Sequence, residues 1–361
     1  MFLTFIIVFV SFVILIILHE LGHFFMAKKF GVKIEEFGLG FPPRLFGKKF
    51  GETLYSINLL PFGGFVKIYG QEEPIDNPQS FSTKPIYQRA LIILGGVISF
   101  WIISAILLSI VMAIGVPTMI EDEENHNLVN PKVQITAIAP DSPAEKVELK
   151  IGDIIRELKF QEEQLKIDKV GQVLEFTQAH KGGEVILTIQ RGKETFDISL
   201  IPRVSHPENE GPMGIALTRT ALKFYPWYQA PVKGIIATGN LTLMTVMGWG
   251  KLIASLFQGE GVPPDMEVRG PVGIFELFVI VRGLGISYFL QFIAMISISL
   301  AIINILPIPA LDGGWLLFLA IEKLKGRPLD QKIVRNVSMV FFFLLIALMI
   351  LVIIKDIMRI F

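Results

Sequence analysis

Four stretches of this chain are apolar over a length that crosses a bilayer, which takes about 20 residues in a helix. They are Phe2–Phe25, Ala90–Val116, Ser287–Pro307 and Val337–Ile354. The rest of the composition agrees: 52% of the 361 residues are hydrophobic, above the share found in soluble domains. The expected fold class is therefore a polytopic α-helical membrane protein with four transmembrane helices. A fifth stretch, Val232–Phe257, is interrupted by Lys233, Asn240, Trp249 and Lys251 and reads as a helix lying at the membrane interface. The first apolar run lacks a basic segment before it and a small-residue cleavage site after it. It is expected to be a retained helix, not a signal peptide.

Lysine and arginine set the orientation. Lys28, Lys29, Lys33, Arg44, Lys48 and Lys49 follow the first span, and Lys323, Lys325, Arg327, Lys332 and Arg335 lie between the last two. Both basic loops belong in the cytoplasm. The chain ends and the segment after the second span, which opens with Glu121-Asp122-Glu123-Glu124, belong outside. Net charge is zero, so nothing points to nucleic acid as a partner. The lipid bilayer is the partner that composition does imply.

Five segments are expected. Residues 1–116 form a first membrane half, and 117–130 a polar, acidic linker. Residues 131–203 form a small α/β domain, in which Val133-Gln134-Ile135, Glu184–Ile189 and Phe196–Leu200 alternate as strands. Arg191-Gly192-Lys193 reads as a turn, and Ser142-Pro143-Ala144-Glu145 as a capped helix start. Residues 204–286 are expected to be linker and interfacial helix, and 287–361 a second membrane half. Between the first two spans, Thr53–Leu60 and Phe65–Tyr69 read as two strands joined by a turn at Pro61-Phe62-Gly63-Gly64. This β-hairpin, membrane-associated in the expected fold, is an ordinary cytoplasmic hairpin or a sheet edge that Gly63, Gly64 and Phe65 offer to a peptide.

The chemistry sits in the first span, which carries His19-Glu20-Leu21-Gly22-His23. On a helix this spacing puts two imidazoles on one face, one turn apart, where both reach one Zn²⁺; the glutamate between them reaches a water at the metal. Ionisable side chains in an apolar helix are costly and are functional by default. The chain has no cysteine, so a metal must use His, Asp or Glu. A catalytic zinc takes three protein ligands. The candidate for the third is Asp312, in the run Asn304 to Gly314, where Pro307 and Pro309 break the third span and Gly313-Gly314 let the backbone bend. Glu20 is the candidate general base. Asn304 is a candidate partner for an oxyanion or for a neighbouring helix. His126, His180 and His206 read as surface residues.

With these residues the chain resembles the site-2 proteases, the intramembrane zinc metalloproteases, and among them the bacterial regulators of the sigma-E protease type. Gly38-Leu39-Gly40-Phe41-Pro42, Pro61–Val66, Gly270-Pro271-Val272-Gly273-Ile274 and the Asn304–Gly314 run carry the resemblance. Ser142–Glu145 with Ile151-Gly152-Asp153-Ile154-Ile155 resembles a PDZ domain, so the inserted α/β domain is expected to be PDZ-like and extracytoplasmic. The resemblance implies a multi-pass protein of the bacterial inner membrane. It implies one zinc per chain on His19, His23 and Asp312, Glu20 as base, and Asn304 and the Gly63-Gly64-Phe65 region near substrate. Substrates would be single-pass membrane proteins, such as anti-sigma factors, already trimmed by another protease. One departure stands out. The family's second helix usually carries Gly-Pro and then an Asn, and here Gly96 and Ser99 occupy the Pro and Asn positions. Two other readings use the same residues: a membrane metal transporter, and a PDZ scaffold whose metal site is inactive.

Overall fold

The computed structural model describes residues 2–123, 129–192, 194–207, 210–263 and 269–360. The chain divides into two compact units: residues 1–109, 231–278 and 291–361 in one, and 110–230 with 279–290 in the other.

In the first unit, helix α1 (Phe2–Lys29) runs past the apolar stretch to Lys28 and Lys29, whose charges suit a helix C-terminus. Gly31, at φ +66°, supplies the left-handed stop. Strands β1 (Ile34–Phe50) and β2 (Thr53–Ile68) follow, with the chain reversing at Gly51 and Glu52. The turn expected at Pro61–Gly64 is not one. Residues 53–60 and 65–68 are runs of the single strand β2, and both pair with β1. Glu36, Phe37, Gly38 and Leu39 have partners on both sides, at 64–67 and at 54–57, while Arg44–Phe50 pair with 53–58. This folding-over pairs the backbone of the central run on both edges.

The same sheet carries its polarity inside out. Thr53, Ser56 and Asn58 are buried, whereas Tyr55, Ile57, Leu59 and Leu60 are exposed. Asn58 donates to the Gly40 carbonyl at 3.1 Å, so its amide is satisfied within the sheet.

Helix α2 (Ile86–Ile114) packs on α1 through Gly22 and Gly95. A Cβ on Gly22 would lie 2.2 Å from the Gly95 carbonyl oxygen, so the helices cross at backbone contact.

The second unit is built on a seven-stranded sheet. Its strands are β3 (Val116–Met119), β4 (Val129–Ile138), β5 (Ile154–Phe160), β6 (Glu163–Lys166), β7 (Val185–Arg191), β8 (Glu194–Leu200) and β9 (Ile215–Lys223). The order is β3-β9-β4-β5-β7-β8, with β6 on β5. Helices α3 (Pro143–Lys146) and α4 (Val170–Ala179) flank it, and Val133, Ile155, Leu158, Val173, Leu187 and Ile189 fill its core. Ser142 caps α3 as expected, accepting from the Glu145 amide at 3.2 Å.

The sheet extends beyond the expected 131–203 segment on both sides. The supposed linker 117–130 contains β3, and its Asp122 accepts from the Val170 and Gly171 amides at the start of α4. The supposed linker after 203 contributes β9, which lies between β3 and β4. His126 and Lys193 lie outside the described residues. His180 is not a free surface residue: it sits half-buried against the rings of Phe160 and Phe176, 4.2 and 4.5 Å between centroids.

The chain returns to the first unit through α5 (Ala230–Gln258), which covers the weak fifth stretch. Helix α6 (Pro271–Leu284) follows. Helices α7 (Ile286–Ile305), α8 (Asp312–Lys325) and α9 (Gln331–Ile360) complete it. Among the described residues, α1, α2, α7 and α9 are the helices long and apolar enough to span a membrane. Ser297 donates to the Phe100 carbonyl (2.8 Å) and Ser104 to the Ala294 carbonyl (2.9 Å), tying α7 to α2. On α9, Asp356 accepts from the Gly270 and Gly273 amides at 3.1 and 2.8 Å, which accounts for the Gly-Pro-Val-Gly motif at the start of α6.

Candidate metal centre

His19 and His23 are one turn apart on α1, with Nε2 atoms 3.2 Å from each other. The break at Pro307 and Pro309 ends α7 and sets Asp312 as the first residue of α8. Its Oδ2 lies 3.3 Å from His19 Nε2 and 3.4 Å from His23 Nε2. A Cβ on Gly313 would be 2.0 Å from the Leu306 carbonyl oxygen, so only a glycine lets α8 begin this close to the broken segment.

The surroundings aim these atoms. His23 Nδ1 lies 3.0 Å from the Ile92 carbonyl oxygen of α2. A carbonyl needs a donor, so Nδ1 carries the proton and Nε2 turns its lone pair inward. The His19 ring stacks on Phe100, 4.6 Å between centroids at 20°. Gly96 makes the space: a Cβ there would lie 2.2 Å from His23 Nε2 and 2.7 Å from His19 Cε1. Asp312 Oδ2, although buried, has no hydrogen-bond donor. His19 Nδ1, also buried, has no hydrogen-bond partner either, and the His23 lone pair, His19 Nε2 and Asp312 Oδ2 converge without a positive partner. The donor set of nitrogen, nitrogen and carboxylate oxygen, all within 4.8 Å of one another, fits a zinc ion.

Glu20 stands between the histidines and faces β2. A Cβ on Gly64 would be 3.7 Å from its Cγ. Gly63 and Gly64 therefore lie beside the site, with Gly63 packed near Ile16 of α1 and Phe65 over Gly38. Asn304 donates to the Leu300 carbonyl of its own helix at 2.9 Å. Sequence reasoning missed Ile92, Gly96 and Phe100. The only signal was the Gly95-Gly96 pair, read there as a departure from a pattern.

The profile of Peptidase family M50 matches residues 7–348. A Clostridium perfringens protein, whose name places it among zinc metalloproteases, is 32% identical over 96% of each chain. The Regulator of sigma E protease of Haemophilus influenzae is 26% identical over 97% of each chain. The Regulator of sigma-W protease RasP of Bacillus subtilis is 27% identical over 96% of each. A match of this extent, together with four spanning helices, makes this an integral membrane protein that belongs to peptidase family M50, the site-2 proteases.

Proposed function

We propose that the chain is an intramembrane zinc endopeptidase in which His19, His23 and Asp312 hold one zinc ion and Glu20 is the general base. The observation that carries this is the convergence of the two Nε2 atoms and Oδ2 in a buried site that lacks a positive partner. Bound there, zinc supplies a Lewis acid that acidifies water and polarises a peptide carbonyl. Glu20 takes the proton of the attacking water as its oxygen bonds the scissile carbon. The same carboxyl then gives a proton to the leaving nitrogen as the C–N bond breaks.

A spanning substrate hides its scissile carbonyl in helical hydrogen bonds and must be unwound first. The run Gly63–Val66 of β2 lies beside Glu20, and its backbone is suited to hold the unwound segment extended. Asn304, with one amide hydrogen on the Leu300 carbonyl, keeps its second N–H and its oxygen for substrate. The α/β unit is PDZ-like in this reading and lies outside the cytoplasm with both chain ends, while the metal centre lies near the cytoplasmic side. Substrates are single-pass membrane proteins trimmed beforehand, with anti-sigma factors the leading class, as the names of the two regulator relatives suggest.

The test is Glu20→Gln in the purified protein with a reconstituted single-pass substrate. Cleavage should fall to background while one zinc per chain is retained. Cleavage at the wild-type rate would overturn the assignment of Glu20.

A further inference from the structure

Arg89, near the start of α2, is buried, and its guanidinium forms a fork with Glu322 of α8. Nη1 donates to Oε2 at 3.1 Å, and Nη2 and Oε1 close the second bond. Both side chains are about one-eighth exposed, and the Arg89 ion sits over the Phe81 ring at 5.9 Å. An arginine held this far from water is costly to leave unpaired. Nothing in the proposed chemistry uses it.

Its place in the fold suggests what it does. Asp312, Trp315, Leu319 and Glu322 recur at helical spacing and share one face of α8. Arg89, Ile92, Ile93 and Gly96 do the same on α2. Leu319, Ile92 and Ile93 belong to one buried cluster, with Trp315 packed against it. The two faces therefore run side by side, with the ion pair at one end and the metal centre at the other. At the metal end α2 already acts as the reference for the histidines, because Ile92 holds His23 and Gly96 makes room for both rings.

We propose that the Arg89–Glu322 fork is a positioning pair that registers α8 on α2 and so sets Asp312 against His19 and His23. This rests on the metal-site reading given above. Magnitudes favour the fork over packing alone. Ten helical residues separate Glu322 from Asp312, a lever of about 15 Å at about 1.5 Å per residue. A tilt of about 10° about the ion-pair end would move Asp312 by roughly 2–3 Å, whereas a metal ligand must sit within about 0.2 Å. Apolar contacts such as Leu319 on Ile92 are non-directional and resist sliding weakly. A two-bond fork fixes rotation and translation together.

The experiment uses the full chain in nanodiscs. Zinc affinity is read by competition with a chromophoric chelator. The α8–α2 distance is read by pulsed electron resonance between spin labels at exposed Ala320 and Ile102. The chain has no cysteine, so both labels go on introduced ones without background. Arg89→Gln, Glu322→Gln and Arg89→Lys should each weaken zinc binding about 10- to 100-fold, the range seen for groups that orient ligands. Each should also broaden or shift the distance distribution before metal is added. The exchange Arg89→Glu with Glu322→Arg should recover most of both. Wild-type zinc affinity and an unchanged distance in the single variants would overturn the proposal. So would an exchange variant that folds but behaves like the single ones. If wild-type protein bound no zinc, the metal-site reading would fail, and the distance measured without metal would still decide the fork.

Discussion

Gly96 of α2 lies against the His23 imidazole so closely that a Cβ in its place would stand 2.2 Å from Nε2. The rings cannot easily withdraw, because Ile92 holds His23 and Phe100 backs His19. In an ordinary helix Gly→Ala stabilises by about 1 kcal/mol. Gly96→Ala is expected to cut zinc content well below one per chain and, because the rings have no room to yield, to lower thermal stability despite the helix propensity gained. Metal analysis beside a thermal melt checks this, and a variant with full zinc content and an unchanged melt would overturn it.

Asp312→Asn keeps the shape of the third donor and removes its charge. It should weaken zinc binding by at least as much as His19→Ala, with helix content unchanged by circular dichroism. Stripping the wild-type protein with a strong chelator should abolish cleavage, and added zinc should restore it. Calcium or magnesium should not, because two imidazole nitrogens suit neither ion.

Gly22 and Gly95 touch through backbone, so neither can take a side chain without separating α1 from α2. A Cβ on Gly22 would meet the Gly95 oxygen at 2.2 Å, and one on Gly95 would meet the Gly22 oxygen at 2.6 Å. Gly22→Ala should lose about 1–3 kcal/mol, the usual cost of overpacking, despite the helix propensity it gains. Denaturant unfolding in detergent measures the loss.

In the α/β unit Arg191 reaches the buried Asp153 carboxylate with two bonds of 2.7 Å, from Nε to Oδ1 and Nη2 to Oδ2. Asp153 also accepts from the Lys150 amide at 2.9 Å. Arg191→Met strands a carboxylate that is 1% exposed. Breaking a fully buried pair costs about 3–5 kcal/mol; with Arg191 a third exposed, about 2–3 kcal/mol is expected here. Hydrogen exchange at the β5 and β7 amides should quicken accordingly, and Asp153→Leu added to Arg191→Met should recover part of the loss.

The spans could be read from sequence because hydropathy over twenty residues depends on the segment itself and not on its neighbours. The His19–His23 pair was legible for the same reason, since helical spacing fixes both rings on one face. The 34–68 sheet was not legible. Its pairing joins residues far apart, and Pro61–Gly64 looks like a turn until residues 36–39 are known to pair on both sides of it. Strand β9 was hidden by Arg219, which looks like a surface residue. It is instead buried, donating to the carbonyls of Asp168 and Glu121 at 2.6 and 3.0 Å. Gly96 was visible as a residue, but its reason lies in two rings on another helix.

Asp312 meets His19 and His23 only after nearly the whole chain has been made. A ribosome that has delivered the first span has released two histidines and no carboxylate to join them. Synthesis order thus works as a safety catch. No chain that has yet to reach residue 312 can assemble the three-residue cluster among the other newborn proteins crowding the insertion machinery, and truncation anywhere before α8 leaves it incomplete.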